Sequence, residues 1–463
     1  GGSWTAMAWW IHDHLPYGNL HFFSRLGAFN INWHESPERR IDSYAPPKGC
    51  LTRHGMANHE GVHADQYLGF PPVYVSEMVL ALGVLTVFRY PGMLGAMVRA
   101  PLFPLLTAFV VWNAACMIPY LPEYGLDSLR DGAMWGYSAF ALIVYGVLTR
   151  IPEATGKFIG RFRQFNVVYG VLISVGVALA FSGAPIRYPI ARTSDTGAFL
   201  GGFLSYFLLN GGPQSLIVLY FLPAVYGLSA SRAAGLATTS AVLSATLLGR
   251  RRGRALFVSV VLAAGLVVIT IVSSFTDSGG RNVLSNFRSV ADAAKASPLE
   301  SESSDGTARW RLSWWTMIID DTLYGPYFWT GRGYGENIAV VYGFESPKVE
   351  RAERPLRSPH SAHLNFLARS GVPGAIFWVT LQLVWAGQVL VRVFRSRAKA
   401  SAEWSARFAF LLCFWLAIMT NAAFGVYLEN PVGGVWSWTV FGVGLASIHT
   451  FDAEMHGKRM ARA

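Results

Sequence analysis

Ser358-Pro-His-Ser-Ala-His-Leu-Asn-Phe-Leu-Ala-Arg-Ser-Gly371 ends a polar, aromatic stretch that opens near Thr276, and an apolar run over 373–391 follows at once. That junction decides the fold. A run of this kind crosses a bilayer as a helix, for which roughly 20 residues suffice, and similar runs recur on the far side of the polar stretch. Composition agrees. Of 463 residues, 52% are hydrophobic and only 14% charged, too apolar for an ordinary soluble chain. The expected fold class is all-α, a polytopic integral membrane protein.

Working outward, the hydropathy pattern predicts eleven spans near 73–88, 101–121, 134–149, 164–183, 198–211, 215–230, 233–249, 255–275, 373–391, 408–428 and 432–449. The net charge is +11, yet nearly half of the 38 Lys and Arg fall in five short segments: 89–99, 150–163, 250–254, 392–407 and 458–462. Alternating the spans puts all five on the cytoplasmic face, the positive-inside pattern. The basic balance therefore reports topology and excludes a nucleic-acid partner. The same count places residues 1–72, the loops 122–133 and 184–197, and the stretch 276–372 on the outer face. In a Gram-negative cell the chain then sits in the inner membrane with that face in the periplasm. Four parts follow: an extension over 1–72, helices one to eight over 73–275, a periplasmic loop over 276–372 between the eighth and ninth helices, where an active site is expected from the residues described below, and helices nine to eleven with a tail over 373–463.

Cys116 and Cys413 fall in apolar runs, leaving Cys50 alone, which excludes a disulfide scaffold. The chain opens on Gly1 with no methionine, which allows for a preceding segment. Seven of the eleven histidines lie in 1–72. His59 and His63 are four apart with His54 and Asp65 nearby, a spacing that a metal could use, but a solvated extension fits its polar composition better. No metal or cofactor is expected.

Arginines and histidines concentrated beside a membrane point to an anionic substrate. Arg232 interrupts a nearly continuous apolar passage, Leu216 to Leu248. At bilayer depth an arginine costs about 2.5–3.5 kcal/mol on insertion scales, so it lines a cavity or snorkels to headgroups. Arg309 opens a predicted helix on which Ser313, Thr316 and Asp320 share its face, with Trp310, Trp314, Trp315, Met317 and Ile318 on the others. Such a helix suits a membrane interface, and its arginine faces either a cavity or water. Asp320-Asp321 reads as a solvated pair. Gly331-Arg-Gly-Tyr-Gly335 follows no apolar strand, so it reads as a tight turn and not as a nucleotide loop. Ser358 and Pro359 fit an N-cap and first helical position, which puts His360 in a first turn. There the helix dipole disfavours imidazolium and leaves a ring able to accept a proton; simple capping is the plainer alternative. His363 lies near the same face, and Gly371 with Pro373 marks a break before the next span. Arg332, Arg357 and His363 complete the candidate substrate-binding set.

Arg232 in Ser-Ala-Ser-Arg-Ala-Ala-Gly, Arg309 with Trp314, the Gly331–Gly335 turn, and His360-Ser-x-x-Leu364 with Gly371 and Gly374 form an ordered set over roughly 215–390. Together they resemble the O-antigen ligase and Wzy polymerase superfamily of bacterial membrane glycosyltransferases. Ser361 stands where the family often has Asn, and Arg369 where it often has an acid. The resemblance implies a GT-C-type enzyme that takes a glycan from undecaprenyl pyrophosphate at the periplasmic face without nucleotide sugar or metal. Arg232 and Arg309 would grip the pyrophosphate, for which forked guanidinium donors are suited. His360 would be the general base toward the acceptor hydroxyl, with inversion at the anomeric carbon. Three acceptors stay open: lipid A-core (ligase), the growing lipid-linked repeat (polymerase) or a protein. A lipid-linked glycan transporter is the competing class, but transporters tend to bury coupling acids and Glu77 is the one acid well inside an expected span. A scaffolding subunit would explain the extension but not the ordered Arg/Arg/His set.

Overall fold

The computed structural model describes residues 69–70, 73–181, 196–211, 220, 232–249, 306–345, 356–399 and 401–460. Most of the extension, nearly all of the expected span 215–230, the span 255–275 and the loop's first thirty or so residues lie outside them. The described chain is helical apart from two antiparallel two-residue strands, β1 Gly69–Phe70 and β2 Val73–Tyr74. The helices are α1 Val75–Arg89, α2 Met93–Val98, α3 Phe103–Met117, α4 Leu121–Tyr124, α5 Leu126–Gly136, α6 Ala139–Arg150 and α7 Pro152–Phe181. After these come α8 Thr196–Asn210, α9 Arg232–Leu248, α10 Gly306–Leu323, α11 Ile338–Val341, α12 Ala362–Ala398, α13 Ala402–Ala423 and α14 Pro431–Met460.

Among the described residues, four stretches are long and apolar enough to cross a membrane: Phe103–Tyr124, α12, α13 and α14 to Gly457. The pair α5–α6, bent by 41°, makes a fifth if taken as one broken span. The protein is a polytopic membrane protein. α1, α8 and α9 stand where spans are expected, but at 15, 15 and 17 residues they fall short of the roughly 20 of a full crossing. The expected outer loop 122–133 is helical instead. Hydropathy misses it because α5 is amphipathic, with Ser128, Gly132 and Met134 buried. The basic segment 150–163 and the expected span 164–183 are one helix, α7. α13 ends at Ala423, so 424–428 is a turn and not membrane helix.

Charge sorts to one end of the bundle. α1 and α6 end at Arg89 and Arg150, and the Arg150 guanidinium donates to the Pro91 carbonyl at 2.9 Å. α12 ends at Arg395 and Arg397, and Arg397 reaches the Leu248 carbonyl at the end of α9. The opposite end holds the starts of α9, α12 and α14. Between the ends, small residues let helices meet closely. A Cβ added to Gly201 of α8 would lie 2.8 Å from Ala417 of α13 and 3.0 Å from Ala241 of α9. Membrane helices associate through such contacts because lipid offers no hydrophobic drive between them. α12 kinks at Gly371, at φ 67° and ψ −171°. The break expected from Gly371 and Pro373 is there.

Candidate active site

The site is built at the start of α12. Ser361, extended at φ −148° and ψ 110°, is the N-cap, and its hydroxyl accepts from Leu364 N at 3.4 Å. Serine and asparagine cap about equally well, which accounts for Ser361 where the family often has Asn. His360 is therefore not in the first turn as expected from Ser358 and Pro359. It precedes the cap and adopts φ 55°, uncommon outside glycine though less so for histidine. It is 7% exposed. Backbone held in this region costs of order 1–3 kcal/mol and concentrates at functional sites.

Two contacts hold the turn. The Trp315 indole donates to the Pro359 carbonyl at 2.7 Å, and the Trp310 ring lies 6.0 Å from the His360 ring. From the other side, the Ser358 hydroxyl accepts from His360 N at 3.3 Å and donates to Glu429 Oε1 at 2.7 Å. Glu429 stands in the turn between α13 and α14, outside both helices. Burial pushes its carboxyl up to about 7, against the opposing pull of the Ser358 hydroxyl and the Arg369 guanidinium.

Behind His360, Asp131 of α5 gathers three guanidiniums: Arg369 at 2.9 Å, Arg357 at 3.0 Å and Arg130 at 3.6 Å. The Arg369 side chain is 1% exposed. Its remaining donors go to Asn365 Oδ1 at 3.0 Å and to the Gly333 and Glu336 carbonyls at 3.3 Å each. A buried charge needs this company, since an uncompensated ion in low dielectric is penalised by several kcal/mol. Arg369, where the family often carries an acid, thus meets its acid on another helix.

The expected substrate-binding residues beyond the two leading arginines are committed to the protein. Arg357 pairs with Asp131, with Asp127 at 3.4 Å and with the Gly335 carbonyl. Arg332 donates to Asp321 at 2.7 and 2.9 Å and lies over the Tyr327 ring, so Asp321 holds an arginine and is not a solvated acid. His363 accepts from the Trp378 indole at Nδ1 (3.0 Å), and Nε2 faces the Met419 carbonyl at 3.1 Å. Both ring nitrogens serve packing. Among the described residues, no group of three or more His, Cys, Asp or Glu is placed to hold a metal ion. The histidines of the extension lie outside those residues.

The Gly331–Gly335 turn is tight, with positive φ at Gly331, Gly333 and Gly335. Its purpose is docking: buried Tyr334 donates to Asn113 Oδ1 at 2.5 Å, and its carbonyl accepts from Ser128 at 2.9 Å. The loop is thereby plugged into α3 and α5.

Arg232 is the first residue of α9, at the same end of the bundle as His360. Arg309 lies in the first turn of α10, where Arg311 donates to the Phe424 carbonyl at 3.0 Å and Trp310 meets His360. The three positions therefore lie toward one end of the bundle. Glu429 and Asp131 were not singled out from sequence. The available signal was an acid in each short connection flanking an apolar run, in Leu428-Glu-Asn-Pro431 and in Leu129-Arg-Asp-Gly132.

No curated protein matches the chain. Residues 216–379, which include Arg232, Arg309 and His360 but neither Asp131 nor Glu429, match the family described as O-antigen ligase. The chain thus carries, over residues 216–379, an O-antigen ligase domain of the O-antigen ligase and Wzy polymerase superfamily.

Proposed function

We propose that the protein is an O-antigen ligase-like glycosyltransferase that moves a glycan from undecaprenyl pyrophosphate to an acceptor sugar, lipid A-core or similar, on the periplasmic face. One observation carries this reading. His360, buried and in the left-handed region, is joined through the Ser358 hydroxyl to the Glu429 carboxyl, which burial pushes up to about 7, at the bundle end where α9 begins with Arg232 and α10 carries Arg309. In the proposed step the acceptor oxygen attacks the anomeric carbon opposite the pyrophosphate. The bond from that carbon to the pyrophosphate oxygen breaks, the hydroxyl proton passes to His360, and the configuration inverts. Arg232 and Arg309 meet the charge that develops on the leaving group. Arg332, Arg357 and His363 position the loop and stay off the substrate.

The test is transfer by the purified chain in proteoliposomes from an undecaprenyl-pyrophosphate glycan, with excess EDTA present. Lipid A-core and a second lipid-linked repeat are offered in parallel as acceptors. An inverted linkage to lipid A-core is the expected product. Elongation of the lipid-linked repeat alone makes the protein a polymerase, and absence of transfer to either of these or to an added protein acceptor removes the glycosyltransferase reading.

A further inference from the structure

The exposed side of α12 gives the membrane a depth scale. From Ile376 through Val379, Leu383 and Val391 to Phe394 the helix presents large apolar side chains to its surroundings. That stripe is roughly 27 Å long at about 1.5 Å per residue, close to the hydrocarbon thickness of about 30 Å. Arg395, Arg397 and Lys399 bound it at one end. At the other end stands the turn after α10. Val372, one helical turn before Ile376, donates its N–H to the Phe328 carbonyl at 2.8 Å. Gly371 approaches the neighbouring Trp329 backbone so closely that a Cβ would lie 2.6 Å from its carbonyl oxygen.

In that turn the side chains of Trp329 and Tyr324 are 67% and 83% exposed, beside exposed Leu323. Large aromatics left this open need a surface to lie in. Trp and Tyr favour the membrane–water interface, where the ring body is dehydrated and the polar tip stays wet. Here they stand where the lipid-facing stripe of α12 ends, continuous with it.

We propose that Tyr324 and Trp329 are an interfacial anchor lying in the phospholipid headgroup layer at the His360 end of the bundle, and that they set the depth at which the loop carrying His360 rides over the bilayer. The occupant of this face is the phospholipid boundary, and a second copy of the chain is the rival. The inference stands on the membrane fold alone and does not depend on which reaction the site performs.

The experiment is site-directed spin labelling of the full chain in phospholipid vesicles, on a Cys50→Ser background, since Cys116 and Cys413 are buried. Nitroxides are placed singly by Trp329→Cys, by Leu383→Cys for the mid-bilayer and by Glu403→Cys for water at the opposite end. Each site is read by its relaxation with oxygen and with a water-soluble nickel chelate. Position 329 should fall between the two references, accessible to both agents, and position 324 (Tyr324→Cys) should read the same or slightly shallower. Values at 329 and 324 equal to those at 403 would mean a solvated loop and overturn the proposal. So would exclusion of both agents with spin–spin broadening, which would place a second copy on this face.

Discussion

The Ser358 hydroxyl donates to Glu429 Oε1 at 2.7 Å. This bond joins the segment before α12 to the turn between α13 and α14. Because the same hydroxyl accepts the His360 N–H, the conformation of His360 depends on a carboxyl 71 residues from Ser358.

That carboxyl should leave a mark on stability. Glu429 is raised from 4.5 to about 7 by burial, so its folded state binds the proton more tightly than the unfolded chain does. Its contribution is complete below about pH 4.5 and is lost as pH rises through about 7. Glu429→Gln should flatten the fall of the melting midpoint across that window relative to the wild type. Parallel curves for the two proteins would show that the carboxyl is not held up.

Asp131→Asn should be the most destabilising single change near the site. It leaves Arg369 and Arg357 facing each other without a carboxylate. Breaking a buried pair by removing one partner is worth roughly 3–5 kcal/mol. Thermal denaturation in detergent measures the loss, and Asp131→Asn with Arg369→Gln should recover part of it, because coupled sites are not additive. A melting point unchanged from wild type would mean the cluster is dispensable.

Gly371→Ala should destabilise by about 1–3 kcal/mol. The residue sits at φ 67° and ψ −171°, and a Cβ would meet the Phe328 and Trp329 carbonyl oxygens at 2.6 Å. Gly387→Ala in the same helix is the control. Nothing lies within 4 Å of its added Cβ, so alanine should stabilise there by roughly 0.5–1 kcal/mol. Equal effects at the two positions would contradict the kink.

Arg309→Lys keeps the charge but loses the planar fork, so most transfer activity should disappear while expression is retained. Arg232→Ala should be as damaging. Initial rates of glycan transfer decide it: a wild-type rate returns Arg232 to the headgroups or Arg309 to water, according to the variant.

The parts of this molecule legible in sequence are those set by local pattern. The Trp-rich helix over 306–323, the tight glycine turn and the Gly371 break all follow from residues within a turn or two of each other. The cap of α12 is Ser361 and not the expected Ser358, whose hydroxyl instead accepts from His360 N and donates to Glu429. The partners of Arg357 and Arg369 were not legible, since Asp131 lies more than 220 residues away. Local periodicity holds no trace of such a pair. The eleven-span count rested on hydropathy alone, which cannot separate an amphipathic helix such as α5 from a loop.

The central claim is that His360 takes the proton from the acceptor hydroxyl. The most direct measurement is single-turnover transfer from purified undecaprenyl-pyrophosphate glycan, with donor binding measured on the same preparation. His360→Ala should transfer about 10²–10⁴-fold more slowly, the usual worth of a positioned general base, while still binding donor. His363→Ala should bind and transfer at close to the wild-type rate but melt earlier, since that ring is tied to Trp378 and Met419. A His360→Ala protein that binds donor and transfers it at the wild-type rate would contradict the account.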